Sequence, residues 1–118
     1  METQNEIKNL YALSEKEILI IIGNDLLTEE SRFSPPSAQE AIERAIEWLE
    51  ENYESLQEAI CRNGTIRKYY NDNEDIILAA AIADLISAIC LSVSPFSVAV
   101  LVAKKGIGEL CKYSWESK

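Results

Sequence analysis

The chain has no histidine among its 118 residues, and this limits the chemistry that its side chains can perform. Serine–histidine–aspartate and cysteine–histidine nucleophilic sites both need imidazole, as do the zinc sites that include it as a ligand. The three cysteines, Cys61, Cys90 and Cys111, are widely spaced and form no Cys-x-x-Cys motif, which excludes a zinc knuckle and a thioredoxin-type centre. We therefore expect a non-catalytic protein without a metal ion or cofactor.

Carboxylates are the most abundant charged groups, and they are concentrated in the first half of the chain. Residues 1–60 hold 14 acids and 4 bases, and the whole chain carries a formal charge of −9. This charge repels a nucleic-acid backbone, so we expect no nucleic-acid binding, whereas a basic protein partner is compatible with it. A solvated helix face is the simplest explanation of the glutamates between residues 40 and 58. The alternative is a partner-binding surface, for which the candidates are Glu47, Trp48, Glu50, Glu51 and Glu54.

Residues 62–70 form the only basic and aromatic cluster of the chain. Within it, Arg67, Lys68, Tyr69 and Tyr70 could stack on and neutralise a nucleotide or a phosphorylated partner. No glycine-rich phosphate loop accompanies them. In the alternative interpretation, the basic side chains pair with the acidic helix and the tyrosines cover the edge of the core.

Asp84 is the only charged residue between positions 76 and 103. The stretch is apolar and long enough for a membrane span. However, a lone carboxylate near the middle of a span costs about 2.5–3.5 kcal/mol to insert, and the amphipathic segments elsewhere need an apolar surface to cover. We expect a soluble core with Asp84 as a buried polar residue, paired with a base of residues 62–68 or with a helix N-terminus. A small membrane protein inserted through residues 76–103 is the alternative.

Local signals in the first half of the chain predict helices. Ser14-Glu-Lys-Glu17 and Ser37-Ala-Gln-Glu40 are capping boxes, in which the serine and the glutamate satisfy each other's backbone N–H groups. The apolar run at 18–22 would also suit a strand, but no second strand-like run exists to pair with it. Residues 33–36 interrupt any helix, and an amphipathic pattern then predicts a long acidic helix over 38–62.

Two apolar helices are predicted in the second half, at about 74–93 and 95–105. The Asn-Asp-Asn of residues 71–73 can cap the first of them, and Ser94-Pro95 can begin the second. Asn63-Gly64 and Gly106 are predicted helix stops. A last helical turn or two would then direct Leu110, Cys111 and Trp115 inward.

Together, these elements predict one all-α domain over residues 1–118, a bundle of four to five helices with the apolar pair at its centre. The cysteine usage and the N-terminal residues, which lack the basic start and apolar stretch of a signal peptide, indicate a reduced cytoplasmic protein, with membrane association as the alternative. The predicted function is that of a small acidic interaction or regulatory module. It would bind and occlude a basic protein partner, such as a toxin or effector, or associate with itself as a homo-oligomer.

Overall fold

The computed structural model describes residues 2–29 and 37–112, which form eight α-helices and no strand. The helices are α1 (Glu2–Tyr11), α2 (Glu15–Glu29), α3 (Ala38–Glu51), α4 (Tyr53–Cys61), α5 (Gly64–Asn71), α6 (Asp75–Ile86), α7 (Pro95–Lys105) and α8 (Ile107–Leu110). The predicted all-α, single-domain fold is confirmed. The helices are shorter and more numerous than the four to five that were predicted.

Both predicted capping boxes are present. The N–H of Ser14 donates to Glu17 Oε1 at 3.0 Å, and the N–H of Glu17 donates to Ser14 Oγ at 3.1 Å. Ser37 and Glu40 make the same reciprocal pair, with both distances 3.1 Å. The run at 18–22 is therefore part of helix α2, as predicted, and not a strand. The predicted interruption at 33–36 lies outside the described residues.

Helix α7 occupies the centre of the fold. It begins at Pro95, preceded by Ser94, whose Oγ accepts from the N–H of Ser97, and it ends at Lys105 before Gly106, whose φ is +118°. The predicted bounds of 95–105 are confirmed. Five consecutive residues, 97–101, are at most 2% exposed, so this helix is surrounded by the others on nearly every side.

Helix α6 is shorter than predicted, because it ends at Ile86 instead of continuing to residue 93. Just beyond this point, Ser87 Oγ donates to the backbone oxygen of Asp84 at 3.0 Å, a local bond of the kind that competes with helix hydrogen bonding. Residues 87–94 reverse the chain so that α6 packs against α7. Within 2–29 and 37–112, we find no helix with the length and apolar character needed to cross a membrane.

The predicted acidic helix over 38–62 is divided into α3 and α4 at Asn52. The side-chain amide of Asn52 donates to the backbone oxygen of Trp48 at 2.9 Å, and its own N–H donates to the same oxygen at 3.0 Å. Asparagine is well suited to such a break because its side chain can replace backbone hydrogen bonds. The chain therefore changes direction at this residue.

Helix α4 does end at Cys61, just before the predicted stop at Asn63-Gly64, but the role assigned to these two residues is wrong, because they start the next helix. Asn63 Oδ1 accepts from the N–H of Thr65 at 2.9 Å and so caps α5, of which Gly64 is the first residue. The predicted cap at 71–73 is also wrong, because Glu74 precedes α6 and Asn73 adopts a left-handed conformation with φ of 58°. Asparagine tolerates this region of φ better than most residues do.

Helices α2 and α3 pack closely where Gly23 faces Ala41. A Cβ atom at Gly23 would overlap the backbone of Ala41, so only glycine permits this approach. Ala41 and Ala45 are fully buried at the crossing. Helix α6 packs on α7, α1 contacts both of them, and α4 and α5 pack against α6.

A disulfide bond joins Cys61, at the end of α4, to Cys111, directly after α8. Cys90 is a free, buried thiol. The expectation of a fully reduced protein is therefore wrong for this pair. The pairing could not be deduced from sequence, because the two cysteines are 50 residues apart and no motif links them.

Candidate functional site

An apolar groove of about 630 Å³ lies between α3 and α4 on one side and α7 and α8 on the other. Most of the side chains that line it are aliphatic or aromatic. The lining residues are Leu19, Ile46, Leu49, Glu50, Tyr53, Leu56, Leu101, Val102, Lys105, Gly106, Glu109 and Leu110. Apart from Tyr53, only Glu50, Lys105 and Glu109 bring polar side-chain groups.

The first wall of the groove follows from the way α3 divides its apolar residues between two faces. The small residues Ala41 and Ala45 are buried, which allows α2 to approach, and Trp48 is buried with them at 8% exposure. The larger Ile46 and Leu49 lie on the neighbouring face and line the groove. Thus α3 uses its small residues for the close crossing with α2 and its larger apolar residues to line the groove, together with Leu19 of α2.

The wall continues across the bend into α4, where Tyr53 and Leu56 line the groove. Ile46 is 42% exposed and Tyr53 is 48% exposed, whereas Leu56 is buried. The groove is therefore open to solvent along the α3–α4 edge and closed at its base.

The second wall consists of the end of α7 and the short helix α8. Gly106 allows the chain to turn between them, because its φ of +118° lies in a region that L side chains rarely adopt. The side-chain amide of Gln57 in α4 donates to the backbone oxygen of Leu110 at 2.9 Å. This bond and the Cys61–Cys111 disulfide attach α8 to α4.

The predicted partner-binding glutamates occupy different positions around this groove. Glu50 lines it. Glu47 and Glu51 instead form ion pairs with Arg44, at 3.0 and 3.5 Å. Glu54 is exposed on the first turn of α4. The groove lining also includes Lys105 and Glu109, which belong to no sequence motif that marks them as site residues.

Trp48 was predicted as a candidate residue of the partner-binding surface. The structure places it in the core, with 8% of its surface exposed. The buried face of α3 therefore includes Trp48, whereas Ile46 is 42% exposed. The signal that could have revealed this is the pair of alanines at 41 and 45, which favours close helix packing on that side.

Of the basic and aromatic residues of 62–70, Arg62 follows α4 and pairs with Glu58 at 3.0 Å, and the others lie on α5, apart from the groove lining. Arg67 and Lys68 are exposed, and Tyr69 is partly buried against the core. Tyr70 is 40% exposed, and its hydroxyl lies beside Gly108 of α8, where an added Cβ would be 2.7 Å from it. The two predicted binding clusters are thus on different helices, the acidic one on α3 and α4 and the basic one on α5.

The prediction that Asp84 is buried is wrong, because it is exposed on α6. The buried residues of this helix, Leu78, Ala79, Ile82, Ala83 and Ile86, share one face, and at 100° per residue Asp84 lies opposite to it. Ile77, which is 43% exposed, shares this outer face. The sequence did not indicate which face of α6 is exposed, because the helix has almost no polar face that would be expected to lie in solvent.

A second cleft, of about 430 Å³, lies between α1, α2 and the start of α7. Its lining includes Glu6, Asn9, Asp25, Ser94 and Ser97. Asp25 Oδ2 accepts from the N–H of Ser94 at 3.3 Å, so this carboxylate helps to hold the beginning of α7. Over the described ranges, no group of three or more Cys, Asp or Glu side chains is arranged to hold a metal ion.

Comparison of the chain with protein-family models, with curated proteins and with solved structures finds no match.

Proposed function

We propose that the protein is a non-catalytic interaction module that binds an amphipathic, basic helix of a protein partner in the groove between α3–α4 and α7–α8. The observation that carries this proposal is the groove itself, which has about 630 Å³ of apolar space bounded by charged residues. Helix-in-groove recognition uses apolar side chains at spacings of three, four and seven residues, which enter such a cleft along its length.

The openness of the groove favours a helix over a small molecule. Pockets for small ligands enclose most of the ligand surface. Here, Ile46 and Tyr53 remain 42% and 48% exposed, so one long edge is open. A helix can fill this kind of space with one face and keep its other face in water.

The charge of the protein indicates which kind of partner helix would bind in the groove. Two carboxylates, Glu50 and Glu109, and one base, Lys105, line the groove, and the chain as a whole carries −9. Lysine and arginine side chains that flank the apolar face of a partner helix would meet these carboxylates and would be steered toward the protein before contact. Binding would cover the basic face of the partner, which fits the occluding role that the charge of the sequence predicts.

The proposal includes a cytoplasmic location for the protein. Disulfides that form in the cytoplasm of most organisms are transient and often respond to redox conditions. The Cys61–Cys111 bond would then form and break during the life of the protein.

The proposal can be tested with a fluorescent amphipathic peptide of leucine and lysine, about four helical turns long, with its leucines on one face. We expect Ile46→Lys to weaken binding of this peptide about tenfold or more, which corresponds to about 1.4 kcal/mol. The matched control is Ile77→Lys, because Ile77 is 43% exposed and Ile46 is 42% exposed. Both variants add one positive charge, so a difference between them reports the groove and not the net charge.

A second pair of variants tests the charged edge. Glu50→Lys should weaken binding and reduce its salt dependence, whereas Asp84→Lys, on the outer face of α6, should change both only slightly. If Ile46→Lys and Ile77→Lys have the same effect, or if a peptide of the same composition in scrambled order binds equally well, the groove is not the binding site.

A further inference from the structure

We infer that the Cys61–Cys111 disulfide is a redox switch for the groove: the bonded form holds α8 in place as a wall, and the reduced form releases it. This inference rests on the proposed function, since it concerns the regulation of the same site.

Helix α8 depends on its attachments because it is only four residues long. A single helical turn of this length is not stable in isolation. Ile107 anchors its first residue in the core with no exposed surface, and the Gln57 side chain binds the Leu110 oxygen at 2.9 Å. The disulfide at Cys111 is the third attachment, and it links α8 covalently to α4.

The disulfide connects the two walls of the groove. Glu109 and Leu110, directly before Cys111, line one wall. Tyr53 and Leu56 line the other wall and belong to α4, whose last residue is Cys61. Breaking the bond would therefore remove the covalent link between the two walls and leave the spacing of Leu110 relative to Leu56 to weaker contacts such as the Gln57 hydrogen bond.

The chemical step is thiol–disulfide exchange with a vicinal dithiol as reductant. One thiolate of the dithiol attacks Cys61 Sγ, the more accessible side, since Cys61 is 6% exposed and Cys111 is 0% exposed. The Cys61–Cys111 bond breaks and Cys111 leaves as a thiolate, which takes up a proton. The second thiol of the reductant then attacks the mixed disulfide and releases Cys61, so the protein gains two electrons and two protons while the dithiol is oxidised.

The third cysteine is kept out of this exchange. Cys90 is as buried as Cys61, at 6% exposure, but it is a free thiol and burial raises its pKa to about 11. The thiol therefore remains protonated near neutral pH, and the thiolate is the reactive species in exchange. Two of the three cysteines thus belong to the switch, and the remaining one is a core residue.

The test compares oxidised and reduced full-length protein in two measurements. The first is hydrogen exchange at α8, where the N–H of Cys111 donates to the Ile107 oxygen at 2.8 Å and the N–H of Leu110 donates to the Gly106 oxygen at 3.3 Å. We expect exchange at these amides to accelerate about tenfold or more on reduction while the amides of α7 remain protected. The second is binding of the leucine–lysine peptide, which we expect to weaken about tenfold on reduction.

Three variants sharpen the comparison. Cys61→Ser and Cys111→Ser should each bind the peptide as weakly as the reduced protein does and should not respond to reductant. Cys90→Ala should retain the full response.

The outcomes separate the two proposals. If the oxidised protein does not bind the peptide, the proposed function fails. If it binds but reduction changes neither binding nor exchange at α8, the switch is wrong and the binding module stands. If reduction unfolds the whole chain, with loss of helical circular dichroism, the disulfide stabilises the fold generally and the inference of a local switch is overturned.

Discussion

Lys104 Nζ donates a hydrogen bond of 2.9 Å to the backbone oxygen of Tyr11, although 93 residues separate them. It also donates to the backbone oxygen of Leu13 at 2.8 Å, and it lies 5.9 Å from the centre of the Tyr11 ring. Tyr11 is the last residue of α1, where carbonyl groups have no partner within the helix and carry partial negative charge. A lysine of the central helix therefore caps the end of the first helix.

Replacing Lys104 should destabilise the protein without altering the groove. We expect Lys104→Met to lower the free energy of unfolding by about 1–3 kcal/mol, because two hydrogen bonds from a charged donor are lost. Urea denaturation measures this quantity. Lys105→Met is the control, since Lys105 is exposed, and it should change stability by less than about 0.5 kcal/mol. Equal effects of the two substitutions would show that the capping bonds contribute nothing.

Two glycines should respond in opposite ways to substitution by alanine. At Gly23 a Cβ would overlap the backbone of Ala41, which cannot move without separating α2 from α3, so Gly23→Ala should destabilise the protein by about 3 kcal/mol or more. At Gly64 a Cβ meets no atom, and this residue starts α5. Gly64→Ala should therefore be neutral or stabilising by up to about 1 kcal/mol. Thermal and urea unfolding of both variants would check the contrast.

Stability should fall in alkaline solution because of Tyr11. Burial raises the pKa of the Tyr11 phenol to about 12, from an ordinary value of 10.0, and the nearby Asp75 carboxylate adds to the shift. Below pH 10 the phenol is protonated in both states, so its contribution is complete. Between pH 10 and 12 the unfolded chain releases the proton first, and the contribution is lost as the pH rises.

Urea unfolding across this pH range measures the loss, with Tyr11→Phe as the control. The phenylalanine variant should show a shallower decline, because it keeps the ring and removes the ionisable group. In the native protein, the ultraviolet absorbance of phenolate should show a late titration step that is absent from the Tyr11→Phe variant. A decline that is identical in both proteins would exclude Tyr11 as its source.

The disulfide predicts how many thiols react under each condition, and this number can be measured by counting reactive thiols. Without reductant, the native protein should show almost no reactive thiol, because Cys90 is buried and its pKa is raised to about 11. In denaturant one thiol should react, and after reduction all three should. Loss of the bond should also lower the unfolding free energy by about 4 kcal/mol, as expected for a closed loop of 50 residues. Three reactive thiols in unreduced, denatured protein would contradict the disulfide.

The features that could be predicted from sequence depend on partners close in the chain. In each capping box, the serine and the glutamate are three residues apart, so the pattern contains both halves of the interaction. The bounds of α7 were predictable for the same reason, since its cap and its terminating glycine adjoin it. The all-α class of the fold follows from such local patterns.

The features that could not be predicted depend on contacts between distant residues. Cys61 and Cys111 are 50 residues apart, and the groove unites residues from Leu19 to Leu110. The orientation of α6 could not be predicted because its own apolar side chains lie on nearly every side of the helix. The exposure of Asp84 is therefore decided by packing against α7 and not by the sequence pattern. Of the predicted site residues, only Glu50 lines the groove.

The disulfide also determines how the molecule carries a mechanical load. It closes a covalent ring of residues 61–111, which contains α5, α6, α7 and α8. A force applied to the two ends of the chain passes through the sulfur bridge and bypasses the backbone of these helices. With a sequence separation of 50 residues, the bridge prevents roughly 170 Å of backbone from being extended. Under tension the oxidised chain can therefore lengthen mainly through α1 to α4.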